Sequence, residues 1–195
     1  MPRIDLPTPE TMNPDQRRVH DKIIAGKRGR LRGPLRAALY NPELAERWSA
    51  MGELLRYDTT LPPRLSELAI LVTARACSSP FEWAAHKTEA EKAGVEAWII
   101  EALRERRIPD ELAPDDALVV RYASELNAHR SVSDATYAAT LARFGARTVV
   151  ELTALVGYYT LVAMTLNAHQ IPLEPGVVAA FPLPQDDPAV WGKAR

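Results

Sequence analysis

Apolar residues along this chain recur at three- and four-residue spacing, in stretches bounded by proline, asparagine and glycine, which is the pattern of amphipathic helices. Asn13-Pro14-Asp15-Gln16 supplies an N-cap, a proline at the first helical position and a glutamine where a capping box needs one, predicting a helix from there to about Gly26. A basic loop over 26–33 follows, and Pro34 opens a short helix to Tyr40. Asn41-Pro42 caps the next helix, which carries Leu44, Trp48, Met51 and Leu55 on one face. Leu61-Pro62-Pro63 then interrupts the chain. From Arg64 to about Cys77, Leu65, Leu68, Ala69, Ile70, Leu71, Val72, Ala74 and Ala76 leave almost no polar face, so this helix belongs in the middle of a bundle. Ser79-Pro80 starts another, ended by Gly94. Further helices are predicted over 95–107, 114–129, 134–143 and 147–168; the last is nearly all apolar, with Gly157 as a point where a neighbour approaches closely. From Ile171 onward Pro172, Pro175, Pro182, Pro184 and Pro188 forbid a helix, and the tail is expected to wrap over the body. No stretch alternates with period two, and no Asn-Gly or Asp-Gly turn joins β-branched runs, so the fold class is all-α.

A short echo suggests internal repetition. Glu67-Leu68-Ala69-Ile70-Leu71-Val72 resembles Glu151-Leu152-Thr153-Ala154-Leu155-Val156, and each glutamate precedes a histidine, His86 or His169, by a similar interval. Two related helical hairpin halves would produce this, as would chance likeness between two buried helices.

Composition narrows the class further. The chain has 195 residues, 47% hydrophobic and 25% charged, which excludes disorder and fibrous repeats. Lys plus Arg (24) nearly balances Asp plus Glu (25), so no global field draws nucleic acid or anionic membranes. Cys77 stands alone and permits neither an intrachain disulfide nor a CxxC redox or zinc motif. No apolar run approaches the roughly 20 residues of a membrane span, and the N-terminus lacks a signal-peptide core. A cytoplasmic protein with no nucleic-acid or membrane partner is the expectation.

The chemistry concentrates between Leu61 and Gly94. Glu67 sits near the start of a buried apolar helix, where a carboxylate is costly unless paired. The next helix offers Glu82 and His86, four apart and so on one face. If the two helices form an antiparallel hairpin, Glu67 meets His86, and the pair becomes a candidate proton shuttle with the ring's tautomer fixed. The plainer alternatives are that Glu82 only closes a capping box with Ser79, and that His86 is a satisfied core histidine. Phe81 and Trp83 are core or pocket wall, and Cys77 is a buried, inert thiol. Tyr158 and Tyr159, with Asn167 and His169, either line a pocket or belong to the core and rim of the last helix. His20, His86, His129 and His169 are scattered without metal-ligand spacing, so no metal is expected. Lys27, Arg28, Arg30 and Arg32 either grip phosphate or RNA or form a solvated loop or subunit contact; without interleaved aromatics the latter is favoured.

The runs Leu-Pro-Pro-Arg-Leu-x-Glu-Leu-Ala-Ile-Leu (61–71), Phe-Glu-Trp-x-x-His (81–86) and Ala-Gly (93–94) resemble the carboxymuconolactone decarboxylase family of the AhpD-like superfamily. The matching domain spans about 42–128, between an N-terminal arm and helix (1–41), a C-terminal helical part (129–170) and a Pro-rich tail (171–195). The resemblance implies an AhpD-like helical bundle and homo-oligomers, trimers or hexamers, with the apolar last helix and Pro-rich ends as the candidate interface. In the peroxidase branch a glutamate relays protons to a CxxCxxxH motif. The glutamate and histidine fall here on Glu67 and His86, but the two cysteine positions fall on Ser79 and Glu82. Disulfide cycling needs two thiols, so an alkylhydroperoxidase is disfavoured. The Glu-Trp-x-x-His form resembles the decarboxylase branch, which works without a cofactor on a small carboxylated lactone or related unsaturated acid. The resemblance makes His86 the proton donor, Glu67 its orienting partner and Glu82 a secondary acid or water-positioning group. Arg75 and Arg64 are the candidate anion-binding residues, with Trp83 and Tyr158 as further substrate contacts. A non-catalytic helical oligomer that binds a small acid is the remaining alternative.

Overall fold

The computed structural model describes residues 2–184 and 186. Pro188 and the rest of the predicted tail beyond them lie outside the described residues. Eight helices are present among the described residues, α1 (Pro14–Ala25), α2 (Pro34–Ala38), α3 (Pro42–Tyr57), α4 (Pro63–Ala76), α5 (Pro80–Lys92), α6 (Ala97–Arg104), α7 (Pro114–His129) and α8 (Asp134–Ala168), and no strand. Six of them begin with proline, whose fixed φ and missing N–H suit the first helical position. The Asn13 box closes in both directions: Gln16 N–H donates to Asn13 Oδ1 at 2.9 Å, and Asn13 N–H donates to Gln16 Oε1 at 3.0 Å.

α4 is the axis of the bundle. It packs against α5, α6, α7 and α8, and residues 65–74 are all buried, as its all-round apolar sequence demands. Leu68, Leu71, Val119, Leu152 and Leu155 are fully enclosed where α4, α7 and α8 meet. α1 and α2 pack on α3, and α2, α3 and α5 also touch α8.

Several boundaries differ from the sequence prediction. The helix expected over 95–107 ends at Arg104, and Arg106 turns the chain with φ 61°. The two helices expected over 134–143 and 147–168 form one element, α8, interrupted at Gly145 (φ 79°, ψ 165°). Gly157 is exposed, and a Cβ there would meet nothing within 4 Å. The close approach occurs at Gly52 in α3 instead, where a Cβ would lie 2.0 Å from both the Tyr158 hydroxyl and the Arg28 guanidinium. By length and composition α8 could cross a membrane, contrary to the count of uninterrupted apolar runs; half of its most apolar stretch is buried in the bundle.

The repeat does not build a second Glu–His pair. Glu151 accepts from Arg147 Nε at 2.9 Å and Thr60 N–H at 2.7 Å. His169 lies 18 residues further along the same helix, roughly 27 Å away at 1.5 Å per residue.

Both ends of the described chain are fastened to the body. Arg3 N–H donates to the His169 carbonyl at 2.9 Å, and the Tyr40 hydroxyl donates to the Asp5 carbonyl at 2.7 Å. In the tail, Phe181 is buried edge-on against Trp83, ring centroids 5.6 Å apart, beneath the Arg75 guanidinium at 4.4 Å.

Candidate functional site

The antiparallel packing of α4 and α5 brings Glu67 and His86 together. Glu67 Oε2 and His86 Nδ1 are 2.7 Å apart, with the two residues 9% and 6% exposed. The carboxylate accepts, so a proton sits on Nδ1. Nε2 has no hydrogen-bond partner among the described residues and is left to the cavity that His86 lines. The Tyr159 ring meets the imidazole edge-on at 4.8 Å, and Tyr158 packs against Tyr159 at 5.3 Å. Burial pushes the Tyr159 phenol well above its ordinary range, so it stays neutral beside the pair.

The cavity has a volume of about 560 Å³, within the range of small-molecule sites. Phe81, Glu82 and His86 of α5, Tyr158, Tyr159, Val162 and Leu166 of α8, and Arg56 at the end of α3 form its walls. The basic loop contributes Arg28, Arg30 and Arg32, and the tail contributes Leu173, Glu174 and Val177. The loop, whose Lys27, Arg30 and Arg32 are exposed, therefore also lends side chains to the cavity wall.

Glu82 differs from its expected capping role. Ser79 makes no side-chain cap to α5, and Ser79 Oγ and both Glu82 oxygens are buried without hydrogen-bond partners among the described residues. The start of α5 is sunk against α4, so the Glu82 side chain faces the cavity wall and not the helix end. At 2% exposure, burial holds its carboxyl well above the usual carboxylate range, favouring the protonated acid.

The other sequence-derived candidates divide. Tyr158 lines the cavity and accepts a hydrogen bond from Arg28 Nη2 at 3.0 Å. Trp83 does not; it is turned into the core against Phe181. Arg64 is committed elsewhere: it pairs with the buried Asp116 at 2.8 Å and with Glu96 at 2.5 Å, and it donates to the Gly94 carbonyl, joining the starts of α4, α6 and α7. Arg75 donates from Nε to the Arg104 carbonyl at 2.6 Å and clamps the tail through Phe181. Eight residues of helix carry it roughly 12 Å along α4 from Glu67, which the shared-face argument ignored. Asn167 donates to the Cys77 carbonyl at 2.9 Å, away from the cavity. Sequence reasoning missed Arg56 altogether. Its signal was Gly52, four residues earlier on the same face of α3, a costly helical glycine that marks a close approach.

Cys77 closes α4 and is half-buried, and burial pushes its thiol up to about 11. No group of three His, Cys, Asp or Glu able to hold a metal ion occurs among the described residues.

Comparison with known proteins places this geometry. Residues 42–125 match the model of the carboxymuconolactone decarboxylase family. No curated protein matches the sequence. Among solved structures, the AhpD core of an alkylhydroperoxidase, a peroxidase-related protein from Ralstonia eutropha, superposes with a TM-score of 0.72 at 15% identity, over 89% of this chain and 93% of that one. A peroxidase-related protein from a Silicibacter species gives 0.71 at 16% identity, over 89% and 92%. The debrominase Bmp8, as a cysteine-to-alanine variant in complex with 2,3,4-tribromopyrrole, gives 0.70 at 13% identity, over 87% and 91%. These likenesses span nearly the whole fold, whereas the family match spans its central helices. Residues 42–125 thus match the carboxymuconolactone decarboxylase family model, and the chain as a whole has an all-helical fold like that of the AhpD core.

Proposed function

We propose that this protein is a carboxy-lyase that removes carbon dioxide from a small carboxylated lactone or related unsaturated acid, using the Glu67–His86 pair as its proton relay. The observation that carries this reading is the 2.7 Å contact between Glu67 and His86, whose ring lines the cavity with Nε2 left for a bound molecule. In the reaction the bond from the substrate's reacting carbon to its carboxylate breaks, and carbon dioxide departs. The bonding electron pair stays behind and spreads into the conjugated carbonyl as an enolate. His86 then delivers the Nε2 proton to carbon and recovers one from solvent, so the net change is one proton consumed per carbon dioxide released. Glu67 keeps the ring oriented and balances the charge of the protonated imidazole. Glu82, also on the wall and with its carboxyl raised by burial, is a second proton source within the same water-poor space.

The family match and the cavity support this reading; a thiol-cycling peroxidase finds less support. The only thiol is Cys77, it stays protonated at neutral pH, and it does not line the cavity.

The test is release of carbon dioxide from a panel of unsaturated lactone acids. His86→Ala is expected to lower turnover at least about 100-fold and Glu67→Gln about tenfold or more, with both variants folded by circular dichroism. Undiminished turnover by His86→Ala would remove the relay. Binding without turnover by the native protein would leave only a small-acid-binding bundle.

A further inference from the structure

The loop between α1 and α2 brings a guanidinium to the cavity that the proton relay does not use. Arg28 donates from Nη2 to the Tyr158 hydroxyl at 3.0 Å, and its Nε is buried with no acceptor among the described residues. Its loop neighbours do find carboxylates: Lys27 pairs with Asp58 at 2.5 Å, and Arg32 approaches Glu174 at 4.0 Å. Arg28 forms no such pair among the described residues, although its guanidinium lies against the bare backbone of Gly52. Buried donors of a charged group are normally satisfied, and one left open beside a cavity calls for an acceptor from the ligand. Arg56 lines the same cavity and adds positive charge close to Tyr158 and Tyr159. Phe81, Val162 and Leu166 give the same cavity an apolar surface.

We propose that Arg28, held by Tyr158 and Gly52, is the anion subsite of this cavity and binds a carboxylate that the substrate keeps. The inference rests on the decarboxylation reading in one respect, the fate of that carboxylate. A guanidinium stabilises a carboxylate before reaction and loses that interaction when the charge leaves as carbon dioxide, so pairing with the departing group would raise the barrier. A retained carboxylate carries its charge unchanged through the reaction, and its pairing orients the molecule without that penalty. Arg28 and Tyr158 both lie outside the family-matched residues 42–125, so the flanking segments of the chain set this selectivity.

Benzoate and its neutral isostere benzamide are suitable probes, titrated calorimetrically into the full-length protein. The native protein is expected to bind benzoate at least about tenfold more tightly, the equivalent of roughly 1.4 kcal/mol. Arg28→Gln is expected to bring the two within about twofold of each other. Lys27→Gln removes the same charge from the same loop and is expected to keep the native preference. If Arg28→Gln fails to fold, Arg28→Lys keeps the charge and is expected to lose at least about threefold in preference, because an ammonium cannot bond Tyr158 and a carboxylate as a planar fork does. Equal binding of both probes by the native protein, or an undiminished preference in the Arg28 variants, would overturn the proposal. The relay fails separately: His86→Ala is expected to keep the benzoate preference while losing turnover, and retained turnover would count against the relay alone.

Discussion

Glu82 sets the electrostatic state of the cavity interior, because neither of its oxygens is hydrogen-bonded and almost none of its surface reaches water. Its carboxyl is raised by burial, so the folded protein holds this proton more tightly than the unfolded chain does. The associated stability is complete below the unfolded value of about 4.3 and is lost as pH rises toward the folded value. Native protein is therefore expected to lose stability relative to Glu82→Gln as pH rises above the unfolded value. Urea denaturation of both proteins over that rise would show it, and parallel pH profiles would refute it. The sequence made Glu82 and His86 visible as neighbours on one helical face, but whether Glu82 capped α5 or faced inward depended on how deeply the start of α5 sinks against α4. Cys77 follows the same logic. With its thiol pushed up to about 11, it is expected to react with iodoacetamide at pH 8 far more slowly than an unfolded control; equal rates would show an accessible thiolate.

At the scale of elements, α4 carries both the bundle and the relay. Its first turns present Glu67 to α5, while Leu68 and Leu71 fill the space against α7 and α8. Leu68→Ala is expected to cost about 2–5 kcal/mol through lost burial and the cavity left behind, read as a fall in denaturation midpoint. The all-round apolar pattern of 65–74 announced this helix, and Pro14, Pro34, Pro42 and Pro80 announced helix starts. α8 was harder to read, because Gly145 breaks the helical geometry without separating the two segments in space. α3 was misread at its useful end. Gly52→Ala is expected to push the buried Tyr158 ring and Arg28 off their positions, lowering stability and weakening benzoate binding together. If the alanine variant binds benzoate normally, Arg28 does not need its present seat.

On the scale of the whole molecule, the cavity lies where segments distant in sequence converge: the loop after α1, the end of α3, α5, α8 and the tail. That convergence explains why composition alone did not place side chains of the basic loop at the cavity. Self-association, which the family resemblance implies, remains a proposal with one structural support. Val150, Gly157, Leu161 and Met164 are exposed and recur along one side of α8, giving an apolar stripe that a second copy of the chain would cover. Light scattering at micromolar concentration is expected to report an oligomer that Leu161→Glu disrupts; a strict monomer would refute it.

Sequence alone determined the helical class, most helix starts and the Glu67–His86 pairing, because proline, helical periodicity and a carboxylate stranded in an apolar helix are local signals with few physical outcomes. Only the tertiary structure decided which charges face the cavity. Arg64 and Arg75 were absorbed by Asp116, the Arg104 carbonyl and Phe181, whereas Arg28 and Arg56 were delivered to it by packing across the bundle. An arginine reads the same in sequence whether it ties helices together or awaits a ligand, and what distinguishes the two is the partner that long-range packing brings within reach.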